Sequence, residues 1–371
     1  MSKLLDGIRV IDFGRFIAGP YSAMMLADFG ADVIRVERRE GGEDRAVGPV
    51  VPSGEGGMFL NLNRNKRGLT LDLAHPQAPR IVDRLVRNAD IVIANLPLDV
   101  LTKLHLDYDS LRATKDDIIL VMASAFGPDG PYRDRVGFDG VAQAMSGAMG
   151  LSGFPDAPTR SVVSFVDYGT ALHAAFGALA ALHHRQQTGR GQLIDVSLLA
   201  TSLMFMTPLI MERSLTGIHR HAQGNTGYYT APNDTYRTRD GWIMVPTIGG
   251  AMFRRWARLV RREDLIDDTR FRDDITRADH AVVLATIMNA WCAARTRDEA
   301  AAELERARIP VGPVYDLDEV AADPQVRARR LFEELPFPDS AGPIPLAAPP
   351  VRMSESPATI RTRAPQLGEH T

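Results

Sequence analysis

Short apolar runs alternate with stretches in which apolar residues recur every three or four positions through the first two hundred residues. Ile8–Phe13 reads as a strand, and Pro20 suits the first residue of a helix that runs to Phe29 and is ended by Gly30. "ADVIRVE" at 31–37 reads as the next strand, followed by strand candidates at Leu69–Leu73, Asp90–Ala94, Ile118–Ala123 and Val162–Val166, with helical segments between most of them. This order predicts an α/β protein whose mostly parallel sheet is covered by helices on both faces. Ligands of such sheets bind beyond the carboxyl ends of the strands, where this reading places Asp167.

Beyond the turn "TGRGQ" at 188–192, a strand at Leu193–Val196 leads into the methionine-rich apolar helix "SLLATSLMFMTPLIME". Its methionines suit core or subunit packing more readily than a pocket wall. The polar, glycine-containing stretch "GIHRHAQGNTGYYTAPN" at 217–233 marks a domain boundary. "DTYRTRDGWIMVPT" then reads as a hairpin with a tight Asp240-Gly241 turn, charged helices follow to Arg308, and an irregular return begins at Ile309.

Composition narrows the partners. A chain of 371 residues, 45% hydrophobic and 24% charged, with a formal charge of -3, is a globular protein with substantial cores rather than one built to coat nucleic acid or an anionic membrane. Small anionic ligands stay within reach, because a local cluster of arginines is enough to hold one. The single cysteine, Cys292, allows neither an internal disulfide nor a thiolate metal cluster, and its setting "IMNAWCAA" reads as a buried helix face. The start "MSKLLDGIRV" lacks the pattern of a secretory signal. The longest apolar stretch, Ala171–Leu182, is interrupted by His173 and falls short of the roughly 20 residues that span a bilayer, so the chain reads as cytoplasmic.

Several common chemistries fail on spacing. The loop "GRFIAGP" separates Gly14 from Gly19 by four residues, which misses the G-x-G-x-x-G dinucleotide fingerprint even though Glu37 stands where a ribose-binding acid would. Pro20 also removes an amide that a phosphate would need. No G-x-x-x-x-G-K-[ST] loop, H-E-x-x-H or G-x-S-x-G is present, and adjacent His183 and His184 diverge on a helix, so no metal site is expected. What remains is a set of basic residues near predicted strand ends, Arg38, Arg39, Lys66, Arg67 and Lys103, which could together hold a phosphorylated ligand. Asp167, in "SVVSFVDYGTALHAAFG", has two readings: a helix cap, or a nucleophile held in a fixed direction and kept ionised at a helix N-terminus.

Taken together, "LLDGIRVIDFGRFIAGPYSAMMLADFGADVIRVE", "NLNRNKRGLTLDL", "ADIVIANLP", "ASAFGPDGPYRDRVGFDGVAQAMSG", "VDYGTALHAAFGALAALHHRQQTGRGQLIDVSLL", "TRDGWIMV", "IPVGPVYDLDEV" and "APQLGEHT" resemble the class III CoA-transferases. That family includes formyl-CoA and carnitine CoA-transferases and also the α-methylacyl-CoA racemases. The resemblance puts Asp167 on the catalytic aspartate, which forms an aspartyl mixed anhydride and then an aspartyl-CoA thioester. It puts Arg38 at the adenosine phosphate end of CoA, Ile17, Ala18, Leu71, Asn95 and Leu96 along the nucleotide and pantetheine channel, and Phe138 and Asp139 beside the thioester. Lys103, often an arginine in the family, and Arg135 are further phosphate candidates. CoA or acyl-CoA would be a substrate, with no permanently bound cofactor.

The resemblance also implies a Rossmann-like large domain at 1–200 completed by about 325–371, a linker at 201–224, a smaller α+β domain at 225–315, and a return linker with the C-terminal tail at 316–371. Family members form interlocked homodimers. Three readings follow: a transferase between two carboxylic acids, an acyl-CoA racemase, and a CoA-binding protein without turnover. The racemases resemble "GHD" where this chain has "GFD", and Phe138 cannot move a proton. The glycine-rich run of formyl-CoA transferase is replaced by "QGNTGYYTAP", which argues against formate and oxalate, while the methionines at 204–211 and Tyr228 and Tyr229 hint at a medium-sized or apolar acyl group.

Overall fold

Residues 3–338 and 340–371 are described in the computed structural model. Six apolar segments pair side by side: β1 (Arg9–Asp12), β2 (Asp32–Glu37), β3 (Lys66–Thr70), β4 (Ile91–Ala94), β5 (Ile119–Ser124) and β6 (Leu193–Ser197). They form one parallel sheet in the order β3-β2-β1-β4-β5-β6. Both faces are covered, so β4 is buried at every position, as strands of parallel sheets are.

Side-chain alternation divides the core in two. Ile11, Ile34, Val92 and Leu120 point to one face, where they meet Val82 and Val86 of α2 (Ala78–Arg87). Val10, Val33, Ile91, Ile93, Ile119 and Val121 point to the other, against α1 (Ala18–Asp28) and the long helix α4 (Phe165–Thr188). Between these lies α3 (Asp139–Met145), and α5 (Leu198–Thr216) follows β6 directly. The chain winds outward from β1 to β3, then returns to build β4, β5 and β6 on the other side. The loops after β1 and β4 therefore diverge at the carboxyl edge and leave a crevice between them.

Five local expectations are corrected. Val162–Val166 is not a strand: Val162 is 92% exposed, the segment is irregular to Ser164, and α4 begins at Phe165. The place beside β5 is taken by β6, so Asp167 sits in the first turn of a helix and not at a strand end. β3 starts at Lys66 because that lysine is fully buried in an ion pair, which a hydrophobic pattern reads as a loop. α1 starts at Ala18, so Pro20 is its third residue, where an amide still has no intrahelical acceptor. α4 is apolar and long enough to cross a membrane, unlike the interrupted stretch read from the sequence, but Ala174, Ala178, Ala181 and Leu182 bury one face against the sheet side.

Two compact units divide the chain. One holds the sheet and comprises residues up to 148, Arg160–Met211 and Pro324–Thr371. Its tail returns to the sheet edge: His370 N–H donates to Gly68 O at 2.9 Å, and Asn65 Oδ1 accepts from Arg361 and Thr362 N–H. The other comprises Met149–Thr159 and Glu212–Asp323. Here β7 (Asn233–Arg237), β8 (Trp242–Pro246) and β9 (Gly312–Pro313) form an antiparallel sheet against α6 (Gly249–Leu259), α7 (Ala281–Ala293) and α8 (Arg297–Arg306). Cys292 lies in that core, where burial pushes its thiol up to about 12. Thr238 N–H donates to Gly241 O, so the β7–β8 turn is centred on Arg239-Asp240, one residue before the expected pair. The expected linker at 201–224 begins inside α5, and 149–159 folds with the second unit, tied by Tyr228 Oη donating to Leu151 O at 3.0 Å.

Candidate active site

The crevice is built first by the loop after β1. Gly14 and Gly19 touch: a Cβ on Gly19 would lie 2.8 Å from Gly14 Cα, so the pair exists for close approach of backbone to backbone. Asp12 fixes the loop's start, accepting from Gly14 N–H at 2.7 Å through Oδ1 and from Lys66 Nζ at 2.7 Å through Oδ2. Asn95, just past β4, clasps the next residue, accepting from Arg15 N–H and donating to Arg15 O, each at 2.7 Å. Phe16 follows with φ at 60°, and its N–H donates to Asp44, which is itself paired with fully buried Arg35. Burial lowers the Lys66 ammonium to about 8, although Asp12 opposes the shift.

The second wall is the start of α4. Its N-cap, Ser164, makes no side-chain cap. Asp139 does that work from α3: its Oδ2 accepts from Val166 N–H at 2.8 Å and from Asp167 N–H at 3.2 Å. Its Oδ1 accepts from Gln143 Nε2, and Gln143 Oε1 accepts from Ser161 N–H. Asp139 is 4% exposed and Gln143 is buried with it, so the two form a buried relay from Ser161 to the start of α4.

Asp167 is therefore not a cap, and its carboxyl group is left for other work. It is half-buried and shares a cavity of about 560 Å³ with the loops after β1, β4 and β5. Burial, and then the nearby Asp139 carboxylate, raise Asp167 to about 7. The helix N-terminus does not keep it ionised as expected, because desolvation and a like charge outweigh a partial dipole. A carboxylate that is this basic and poorly hydrated is a stronger nucleophile than one in water.

Of the residues singled out in the sequence, Ile17, Ala18, Asn95, Leu96, Arg135 and Phe138 line this cavity together with Asp167. Arg38 lies on the surface, paired with Glu43 at 2.8 Å, and lines a narrow crevice that shares Arg15 and Leu96 with the cavity. Leu71 lines neither, because the core between sheet and α2 takes its side chain. Lys103 is 74% exposed and bonded to Asp99, one turn earlier on the same helix; Asp99 lines the cavity and Lys103 does not. Asp139 lies behind the wall, not on it.

The expected basic edge also breaks up. Lys66 is consumed by Asp12, and Arg67 pairs with Asp32 at 2.7 Å near the amino end of its strand. The cations at the cavity are instead Arg15, Arg133 and Arg135, the last stacked on Tyr132 with 4.0 Å between guanidinium and ring centre. Arg15, Phe16, Arg133 and Gln143 escaped the sequence reading, although the basic spacing "YRDRVG" was a visible signal for Arg133. The methionines at 204–211 and Tyr228 and Tyr229 do not line the cavity. Among the described residues, no group of three His, Cys, Asp or Glu side chains is placed to hold a metal ion.

Comparison with known proteins gives one answer over the whole length. The profile of CoA-transferase family III matches residues 5–371. The chain is similar to succinyl-CoA–D-citramalate CoA-transferase of Chloroflexus aurantiacus, with 35% identity over 99% of this chain and 92% of that protein. It is similar to succinate–glutarate CoA-transferase of Agrobacterium fabrum, with 36% identity over 99% and 93%. The crystal structure of a CAIB/BAIF family protein from Brucella suis superposes with a TM-score of 0.87 and 33% identity, covering 100% of this chain and 98% of that one.

Proposed function

The chain belongs to CoA-transferase family III, and from that premise we propose that Asp167 is the nucleophile of its reaction. The protein is an enzyme that moves CoA from an acyl-CoA to a carboxylic acid. One observation carries the assignment: in the cavity at the carboxyl edge of the sheet, Asp167 has a carboxyl group that does not cap its helix, with a basicity raised by burial and by Asp139.

The carboxylate of Asp167 attacks the thioester carbonyl, the C–S bond breaks, and CoA leaves as thiolate from an aspartyl mixed anhydride. The thiolate then attacks the aspartyl carbon and releases the donor acid, leaving an aspartyl-CoA thioester. The acceptor carboxylate attacks that carbon and again expels the thiolate, which takes the acceptor's acyl carbon and frees Asp167. Each step exchanges one activated carbonyl for another, so the thioester energy is retained. Ile17, Ala18, Asn95, Leu96 and Phe138 line the way for pantetheine, and Arg15, Arg133, Arg135 and Arg38 supply charge for the phosphates.

The relatives' names support a dicarboxylic donor and acceptor of the succinate and glutarate class. An interlocked homodimer is part of the same reading. It is supported by exposed Leu172, Phe176 and Leu179 on one face of α4 and by Met204 and Met211 on α5, apolar surface that a second copy would cover. A cytoplasmic location completes it, supported by the burial of one face of α4 within the chain's own core.

Hydroxylamine converts activated carboxyl groups to hydroxamates, so it tests the assignment directly. Incubation with a panel of acyl-CoAs including succinyl-CoA and glutaryl-CoA should add that mass at Asp167, read by mass spectrometry of peptides, and none in Asp167→Ala. Absence of the adduct across the panel removes the nucleophile.

A further inference from the structure

The proposed reaction passes through two aspartyl intermediates that water would destroy, and the chain has "QGNTGYYTAP" in place of the glycine-rich run of formyl-CoA transferase. The cavity carries two phenylalanines from other parts of the chain. Phe16 and Phe138 line the cavity of Asp167 and meet edge to face, with ring centres 5.5 Å apart and planes at 88°.

Both rings are held by groups that also build the site. Phe16 has a left-handed backbone, with φ at 60°, which a bulky residue adopts only when its surroundings over-determine it. Here Asn95 clasps the preceding residue through both backbone groups, and Asp44 receives the Phe16 N–H. Phe138 directly precedes Asp139, whose carboxylate receives the N–H of Asp167 at 3.2 Å, so one anchor sets the ring and the nucleophile together. Phe138 is nevertheless 61% exposed. A large ring left this exposed at the cavity, in contact with Phe16, serves the cavity more than the core.

We infer that the Phe16–Phe138 pair is the water-excluding wall of the acyl intermediates, and that it sets the ratio of transfer to hydrolysis. This rests on the reading of Asp167 as nucleophile. Without the wall, water adds to the aspartyl carbon of the aspartyl-CoA thioester, the C–S bond breaks, CoA leaves as the thiol, and the Asp167 carboxylate and one proton are released. Acyl-CoA and water then yield the donor acid and free CoA, with no acceptor consumed.

The test follows full-length enzyme with succinyl-CoA, with and without glutarate, measuring free thiol release and glutaryl-CoA formation together. In Phe138→Ala and in Phe16→Gly, the ratio of hydrolysis to transfer should rise about tenfold or more, with Phe138→Leu between wild type and alanine. Glycine suits the left-handed backbone, so Phe16→Gly removes a ring while relieving strain and keeps the test independent of folding losses. Ratios equal to wild type in both variants, whatever the absolute rates, overturn the inference. Asp167→Ala separates the two claims: it should lose transfer and hydrolysis together, and hydrolysis that persists in it sinks the nucleophile assignment instead.

Discussion

Asp139→Asn changes one atom in the relay behind the nucleophile, and its consequences can be worked from the hydrogen bonds. The two oxygens of Asp139 accept from three N–H groups, those of Gln143, Val166 and Asp167. Asparagine offers one oxygen and one NH2 group. If its oxygen serves the start of α4, its NH2 faces the Gln143 amide nitrogen, and Gln143 cannot turn over because its oxygen is held by Ser161 N–H. One buried donor is thus left facing another, at a cost of about 1–3 kcal/mol. A loss of about 2 kcal/mol lowers Tm by about 4–8 °C in a domain of this size. The variant also removes the negative charge that, after burial, raises Asp167. The acid limb of kcat/KM, which in the wild type should rise through pH about 7, should move to lower pH. Thermal denaturation and a pH profile of transfer measure both effects on one preparation. A limb that stays in place while Tm falls would show that burial alone sets the basicity of Asp167, and an unchanged Tm would refute the relay.

Three further outcomes follow from the same geometry. Lys66→Met leaves Asp12 charged in a fully buried place, and urea denaturation should show a loss of about 3–5 kcal/mol, partly recovered when Asp12→Asn is added. Gly14→Ala would put a Cβ 2.7 Å from Asp12 Oδ1 and 2.9 Å from the backbone of Gly19, so it should cost about 1–3 kcal/mol and weaken CoA binding in equilibrium dialysis. Asp167→Asn should stabilise the fold in a pH-dependent way. The folded value of about 7 lies above the unfolded carboxylate near ~3.9, so the wild type loses stability as pH rises from about 4 to 7 and carries the full cost above that. The gain from asparagine should grow over that window to the order of 2 kcal/mol, discounted for half-exposure, and then level off in denaturation curves at pH 5, 6 and 8. A gain that shrinks as pH rises would reverse the sign of the argument.

Much of the sheet was legible because parallel strands buried on both faces are near-continuous apolar runs, and β4 and β5 are of that kind, whereas the edge strand β6, LIDVS, is exposed or half-buried at all but its last position. β3 was misplaced because its first residue is a buried lysine, whose partner Asp12 is distant in sequence and visible only once β1, β2 and β3 lie side by side. Val162 and Val163 were read as a strand because β-branched residues favour strands, yet these two find no neighbour to pair with. The site divides along the same line. Asp167, Ile17, Ala18, Asn95, Leu96, Arg135 and Phe138 were named through the resemblance to the family, and all but Arg135 stand within two residues of a strand or helix end.

By itself the sequence determined an α/β chain and the family, and the resemblance to that family named a carboxylate that proves to line the cavity. Periodicity and motif order are local properties, and fold class and family need nothing more. Only the tertiary structure decided the state of that carboxylate. A helix N-terminus alone argues for a low pKa, whereas burial and Asp139, 28 residues away, raise Asp167 to about 7. Tertiary structure also decided which cations face the cavity, sending Lys66 to Asp12 and Arg67 to Asp32. Charge, unlike hydrophobic pattern, takes its meaning from the partner it finds, and folding chooses the partner.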